Sequence, residues 1–561
     1  AASIMDLRGQ LIEHESLQVV PTLANILYAR RYRRVFSSDI ARAMRWFTGQ
    51  LPWTPPHVQY SHALDAQGNA HCETRSQELD ALTDIRAFLA TPRALWCADV
   101  ETVATVYTDE NKPVFDPRRD RMRCLGFGDR TDVYVVGMVS IRTTSGHPLG
   151  VPLWSAQGLV DLALVLWGAF MDGRLWVGHN FGSYDKMVLR AWFRTVLGES
   201  YVLTIPHLFD TLMAVRTVDP ELPKGLGFCA TVHLQEGTPA WKADHAATES
   251  DCDEALWQYN GLDVAINARL APVLAQAVAS RQQQVVLDMD HKMQSVTVGL
   301  HEQGLLVDQQ ARGWWAFSLT MQMMYHKQEI FGALAAAGIE RYGFGKGIEY
   351  NPNSPYHVRE VLFDHFDLAP PATLRSKEVW TDGGDRSTSK TVFNAYLGDP
   401  LIEDGPIRDY IEAQRRFRKA AKLYGTYVVK ADPAHGKTVI DLRTRRIHAE
   451  WKAHTTLPGR LACARPNLLN QPKKLRNMYR AQKGCVYVGA DWSALHLYII
   501  AMRWQIPSLQ EAFHRGLDAH ALFAGVVFGD RFWQASGVPD GPRGTSGEYT
   551  GNAGKMRSVT K

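Results

Sequence analysis

Cysteine is scarce in this chain: Cys72, Cys97, Cys124, Cys229, Cys252, Cys463 and Cys485 are seven among 561 residues, odd in number and without a Cys-x-x-Cys pair. That spacing argues against a disulfide framework and a structural zinc site, and it suits a reducing compartment. Long apolar runs are missing as well. The longest, around Leu162 to Met171, is too short to span a bilayer and follows Asp161. Nor does one sign of charge dominate, because 62 Lys and Arg against 58 Asp and Glu leave only +4, too little to establish a nucleic-acid partner. No secretory signal is read at the start, where Ala1-Ala2-Ser3-Ile4 precede Met5. The expected location is cytoplasmic, with an organellar matrix as the alternative.

What remains is a globular composition, 45% hydrophobic and 21% charged. The length exceeds one ordinary core, so three or four domains are expected. Basic residues cluster at Arg30, Arg31, Arg33 and Arg34, and again at Arg415, Arg416, Arg418, Lys419 and Lys422. Such runs are commonly solvated helix faces, but they are also candidate phosphate contacts.

The sharpest signal is acidic. Asp99 and Glu101 follow the apolar run Leu95-Trp96-Cys97-Ala98, and the strand period of two puts both carboxylates on one face. Asp185 precedes Met187, Val188, Ala191 and Trp192, a helical stripe that places it at a helix start. Tyr259-Asn260-Gly261-Leu262-Asp263 reads as the opening of a helix, where spacing i to i+4 stacks phenol and carboxylate on one side. Carboxylates from a strand and two helices could converge on hard cations, and two such ions can clamp both oxygens of an in-line phosphodiester displacement. Each piece alone is a common surface pattern. Together, over about residues 91 to 285, they resemble the tyrosine-containing 3'-5' proofreading exonuclease of DNA polymerases. The resemblance implies a ribonuclease-H-like α/β fold, two Mg2+ or Mn2+ ions on Asp99, Glu101, Asp185 and Asp263, and Tyr259 orienting the attacking water.

Further along, His301 to Asp308, Asn351-Pro352-Asn353-Ser354-Pro355 and the basic amphipathic run Ile407 to Val429 resemble the thumb of family A DNA polymerases. Thr456-Leu457-Pro458-Gly459-Arg460 through Pro466-Asn467-Leu468-Leu469-Asn470-Gln471-Pro472 resembles that family's palm segment, with Arg460, Asn467 and Asn470 matching and Leu469 in place of the usual glutamine. The stretch Cys485 to Ala490 reads as a strand leading to Asp491, which resembles the metal-binding aspartate of motif A. His496 stands where the family has a glutamate that excludes the ribose 2'-hydroxyl, so sugar discrimination is expected to persist in weakened form. Asp518-Ala519-His520 opens an apolar helix resembling the fingers segment, and Arg557 and Lys561 fit the opening of motif B. His496, His520, Arg557 and Lys561 would therefore meet the incoming nucleotide, and Arg415, Arg416, Lys419, Arg460, Asn467 and Asn470 the DNA.

The expected organisation is an α/β multidomain chain: a basic segment at 1–90, an exonuclease at 91–285, linker and thumb at 286–445, and partial palm and fingers at 446–561. The sequence stops before motif C, so a complete exonuclease site accompanies a polymerase site that lacks its second aspartate. The implied function is that of a family A DNA polymerase component of phage or organellar type, acting on primer-template, single-stranded 3' ends and dNTPs. A second polypeptide is expected to complete palm and fingers. Two alternatives remain at this point, a stand-alone exonuclease with a DNA-gripping tail and a non-catalytic scaffold derived from a polymerase.

Overall fold

The computed structural model describes residues 12–14, 17–19, 33–49, 53–71 and 74–536; within the last span it leaves out 105, 108–112, 115, 145–146, 235–251, 345–346, 382, 429–439, 442, 454 and 493. Arg557 and Lys561 lie outside the described residues. The chain divides into two units, Ala1–Arg480 and Ala481–Lys561.

The first unit is organised at its front by a six-stranded mixed sheet: β1 (His57–Tyr60), β2 (Trp96–Val103), β3 (Arg121–Gly128), β4 (Asp132–Gly137), β5 (Leu175–Gly178) and β6 (His207–Asp210), in the order β6-β5-β2-β3-β4-β1. Strand β2 pairs antiparallel with β3 and parallel with β5, so the Asp99 strand is hydrogen-bonded on both edges. A tight turn joins β3 to β4, in register Gly128↔Val133. One feature departs from the sequence reading: β1 pairs with β4, and helix α1 (Arg75–Ala90) buries Leu82, Ile85 and Leu89 in the same core. The α/β region therefore starts at least as early as His57, well before residue 91.

Helices α2 (Ala156–Met171), α3 (Asp185–Leu197), α4 (Thr211–Val218), α5 (Asp253–Ser280) and α6 (Gln284–Gln303) complete this part. The apolar run noted around Leu162 to Met171 is α2, capped by Ser155 Oγ, which accepts from Gly158 N at 3.0 Å. Among the described residues only α5 is long and apolar enough to cross a membrane, yet much of it lies inside the core. It also carries Asn260, Asp263, Asn267 and Arg269, all buried. Tyr259 therefore sits in the second turn of a longer helix rather than at its opening, because the helix begins at Asp253. Two glycines permit its close approach. A Cβ at Gly261 would stand 2.8 Å from Val58 Cγ2 of β1, and one at Gly126 would stand 2.1 Å from Asn260 Oδ1. Aromatic rings fill the space beneath the sheet, with Phe127 stacked on Tyr134 and Trp96 tilted against Trp176. Truncating a fully buried ring such as Phe127 to alanine would cost about 3–5 kcal/mol.

Beyond α6, the long helices α7 (Gln309–Ala336) and α8 (Pro406–Leu423) share a core containing Ile330, Leu334, Tyr410 and Phe417. The basic run is helical as expected, closing in a wider π-type turn over Tyr424–Val428. Its buried face carries Tyr410, Ile411, Gln414, Phe417 and Leu423, while Arg416, Lys419 and Lys422 face solvent.

The second unit holds α9 (Leu495–Arg503), α10 (Pro507–His514) and α11 (Ala519–Phe528). The strand expected from Cys485 to Ala490 is not formed, and Val486 and Val488 are 82% and 89% exposed. The reason is physical: a strand is defined by its place in a sheet, and none of the described sheets includes residues 485–490.

Candidate active site

Asp99 and Glu101 project from one face of β2 as their spacing requires, and Asp263 reaches them from α5. Ligand oxygens of the three lie within 4.8 Å of one another. Asp185, the fourth expected carboxylate, is not within that group but adjoins it: its Oδ1 accepts from Val100 N at 2.9 Å, between the two strand ligands. It is buried at the first position of α3. Burial and then the nearby Asp99 charge push its pKa well above the ordinary carboxylate value. Acidic groups so close repel one another, and an all-oxygen set of this kind suits hard divalent cations. The residues present thus fit the metal that the sequence implied.

Several residues that build this site were not singled out in the sequence. Asp210 ends β6, caps α4 through Leu212 N, and is fully buried. Its carboxylate accepts from Asn180 N at 2.9 Å and Gly182 N at 3.1 Å, which ties down the turn leading into Asp185. Gln294 of α6 donates to the same carboxylate at 2.6 Å, and His291 Nε2 accepts from Asp210 N at 3.1 Å. An Asp at a strand end followed by a helix was a capping signal, but its anchoring role depends on contacts distant in sequence. Asn260 donates through Nδ2 to Asp99 Oδ2 at 2.8 Å. Tyr259 is half-buried, four residues before Asp263 on α5.

The polymerase-like residues are placed differently. Arg460 is exposed beside the hairpin of Glu450–Lys452 with Ala462–Ala464. Asn467 Oδ1 accepts from Leu469 N at 3.1 Å, capping the short turn Leu468–Asn470, and the Asn470 carbonyl accepts from Tyr427 Oη at 3.2 Å. On α8, Lys419 is exposed, Arg416 pairs with Glu412 at 2.6 Å, and Arg415 donates to Asn394 Oδ1 at 3.1 Å. Arg418 is turned inward, over the Phe393 ring at 5.2 Å. In the second unit Asp491 and His496 are exposed, and Asp518 Oδ1 caps α11 by accepting from His520 N at 2.9 Å and Ala521 N at 3.2 Å. Asp491 belongs to no cluster of three metal-ligating side chains among the described residues.

Comparison with known proteins bears on the chain from residue 324 onward. Residues 324–536 match DNA polymerase family A. This chain carries a family A DNA polymerase region. It is 24% identical over 336 residues to DNA polymerase I of Borreliella burgdorferi, covering 58% of this chain and 33% of the relative. It is 32% identical over 189 residues to the thermostable DNA polymerase I of Thermus aquaticus, covering 33% of this chain and 20% of the relative. The chain thus spans a third or less of these relatives' length. Among solved structures, the POL domain of Pol1 from M. smegmatis, in complex with DNA primer-template and dNTP, matches with TM-score 0.54 and 17% identity. That match covers 88% of this chain and 70% of the other, and it shows the shared polymerase fold. The matched residues include α8 and the hairpin of Glu450–Lys452 with Ala462–Ala464.

Proposed function

We propose that the chain combines a 3'-5' exodeoxyribonuclease with the thumb and part of the palm and fingers of a DNA-directed DNA polymerase. The observation that carries the nuclease is the convergence of Asp99, Glu101 and Asp263 within 4.8 Å. Asp185 is held against the backbone between the first two. Divalent cations held by these carboxylates would supply Lewis-acid activation of a scissile phosphodiester. The chain's own residues do the rest. Tyr259 offers a hydroxyl on the same face of α5 as Asp263, where it can orient a water for attack. The Asp210 anchor keeps the turn before Asp185 in place.

The polymerase half rests on the family match and on the matching positions Arg460, Asn467, Asn470, Asp491, His496 and His520. Primer-template DNA and dNTPs are the substrates that this reading assigns. The exposed Val486, Val488 and Trp492 favour a partner polypeptide, since large apolar side chains exposed together in one short segment mark interaction surfaces.

The test is digestion of a 5'-labelled single strand by the purified chain with Mg2+ and then with EDTA. The reading expects stepwise shortening from the 3' end that stops when the metal is removed. An intact strand in both conditions would refute it.

A further inference from the structure

Asn260 follows Tyr259, precedes Asp263 by three positions and has no exposed surface. Its Nδ2 donates to Asp99 Oδ2 at 2.8 Å and to the Asp99 carbonyl at 3.3 Å. Only the amide nitrogen can face those two acceptors, so Oδ1 is turned toward the sheet. There it has no hydrogen-bond partner. It lies over Gly126, which is paired directly opposite Asp99 in the β2–β3 ladder, and a Cβ at that glycine would fall 2.1 Å from it. A buried carbonyl oxygen left unpaired costs about 1–3 kcal/mol, so packing alone would favour an apolar residue here. The donor on Asp99 is what the asparagine adds.

We infer that Asn260 is a positioning residue for the metal ligands: its amide holds the Asp99 carboxylate toward Glu101 and Asp263, and Gly126 provides the room it needs. The inference rests on the nuclease reading above. Three clustered carboxylates repel one another before a cation arrives, and a free Asp99 side chain would rotate away. A fixed N–H donor counters that repulsion and keeps the ligand oxygens gathered. Partners of this kind commonly set metal affinity by about 10–100-fold.

The experiment measures Mn2+ binding to the full chain by electron paramagnetic resonance, without DNA, for wild type, Asn260→Ala, Gly126→Ala and the double variant Asp99→Ala/Glu101→Ala. Wild type should bind, the double variant should not, and each single variant should bind about tenfold more weakly. In digestion assays the Mg2+ concentration for half-maximal rate should rise for both single variants, while the rate at saturating Mg2+ falls less. Near-ultraviolet circular dichroism, to which buried Trp257 on the same helix contributes, verifies that α5 remains seated. Should Asn260→Ala lose that signal, Gly126→Ala carries the decision. Wild-type Mn2+ affinity in a folded single variant would overturn the inference, as would unimpaired binding by the double variant. Digestion abolished in the double variant but unchanged in Asn260→Ala would sink the inference and leave the nuclease standing. Asn260-dependent Mn2+ binding without any digestion would do the reverse.

Discussion

Asp99 and Asp491 are both aspartates that the sequence places just after an apolar stretch, yet their surroundings differ in kind. Asp99 lies on a strand paired on both edges, opposite Gly126, with Asp263 and Asn260 delivered by a helix packed on the same sheet. Asp491 follows residues that form no strand among those described, and it is exposed. The contrast teaches what a carboxylate site requires. A motif supplies the ligand, but a sheet with neighbours on both sides fixes its direction, and a second element must bring the other oxygens. One chain supplies all of this for the first site.

The largest expected effect sharpens that contrast. Asp99→Ala with Glu101→Ala should reduce degradation of a labelled single strand to about a thousandth or less, since several kcal/mol of charge stabilisation are removed. Digestion near the wild-type rate would place the hydrolytic centre elsewhere. Asp491→Ala should leave the same digestion unchanged. That substitution should instead abolish whatever primer extension the protein supports. A joint loss of both activities would break the separation of the two sites.

A smaller effect concerns α8. Lys419 and Lys422 are exposed, whereas Arg416 is partly neutralised by Glu412 and Arg418 is turned onto Phe393. Replacing Lys419 and Lys422 by alanine should lower the slope of log affinity against log salt for duplex DNA by about 0.9 for each phosphate no longer neutralised. An unchanged slope would mark this face as merely solvated.

The smallest concerns acid stability. His448 Nδ1 donates to the His301 carbonyl at 2.8 Å, and its Nε2 accepts from Thr444 Oγ1 at 3.1 Å. Burial first, then the Arg118 charge, holds its pKa down to about 4; His301 acts in the same direction, whereas Asp441 and the carbonyl bond oppose it. The unfolded chain takes up this proton near pH 6.5, and the folded one does not until about pH 4. Stability is therefore present above pH 6.5 and falls through that window as acid is added. His448→Gln should reduce the loss of urea resistance between pH 7 and 4.5 by on the order of 1 kcal/mol, allowing for solvent screening. Identical pH profiles for the two proteins would exclude this role.

How much of this was legible in the sequence depended on how local each cause was. Asp99, Glu101, Asp185 and Asp263 could be read because each sits in a short motif whose strand or helix period orients it. Asn260, Gly126 and Asp210 escaped notice because their roles lie in contacts between elements: an amide reaching across to β2, a missing side chain beneath it, and a carboxylate gathering distant amides. Strand β1 was missed because His57–Tyr60 is four residues long and is recognised only by its pairing with β4. Residues 485–490 were misread for the converse reason, since an apolar pattern was present without a partner strand.

The nuclease proposal rests on one site, built by Asp99, Glu101 and Asp263 with Asp185 adjoining it. It is tested most directly by giving the chain alone a 5'-labelled primer with a 3' mismatch, annealed to template, together with Mg2+ and all four dNTPs. The mismatched 3' nucleotide should be removed from the primer. A primer that keeps it would contradict the proposal.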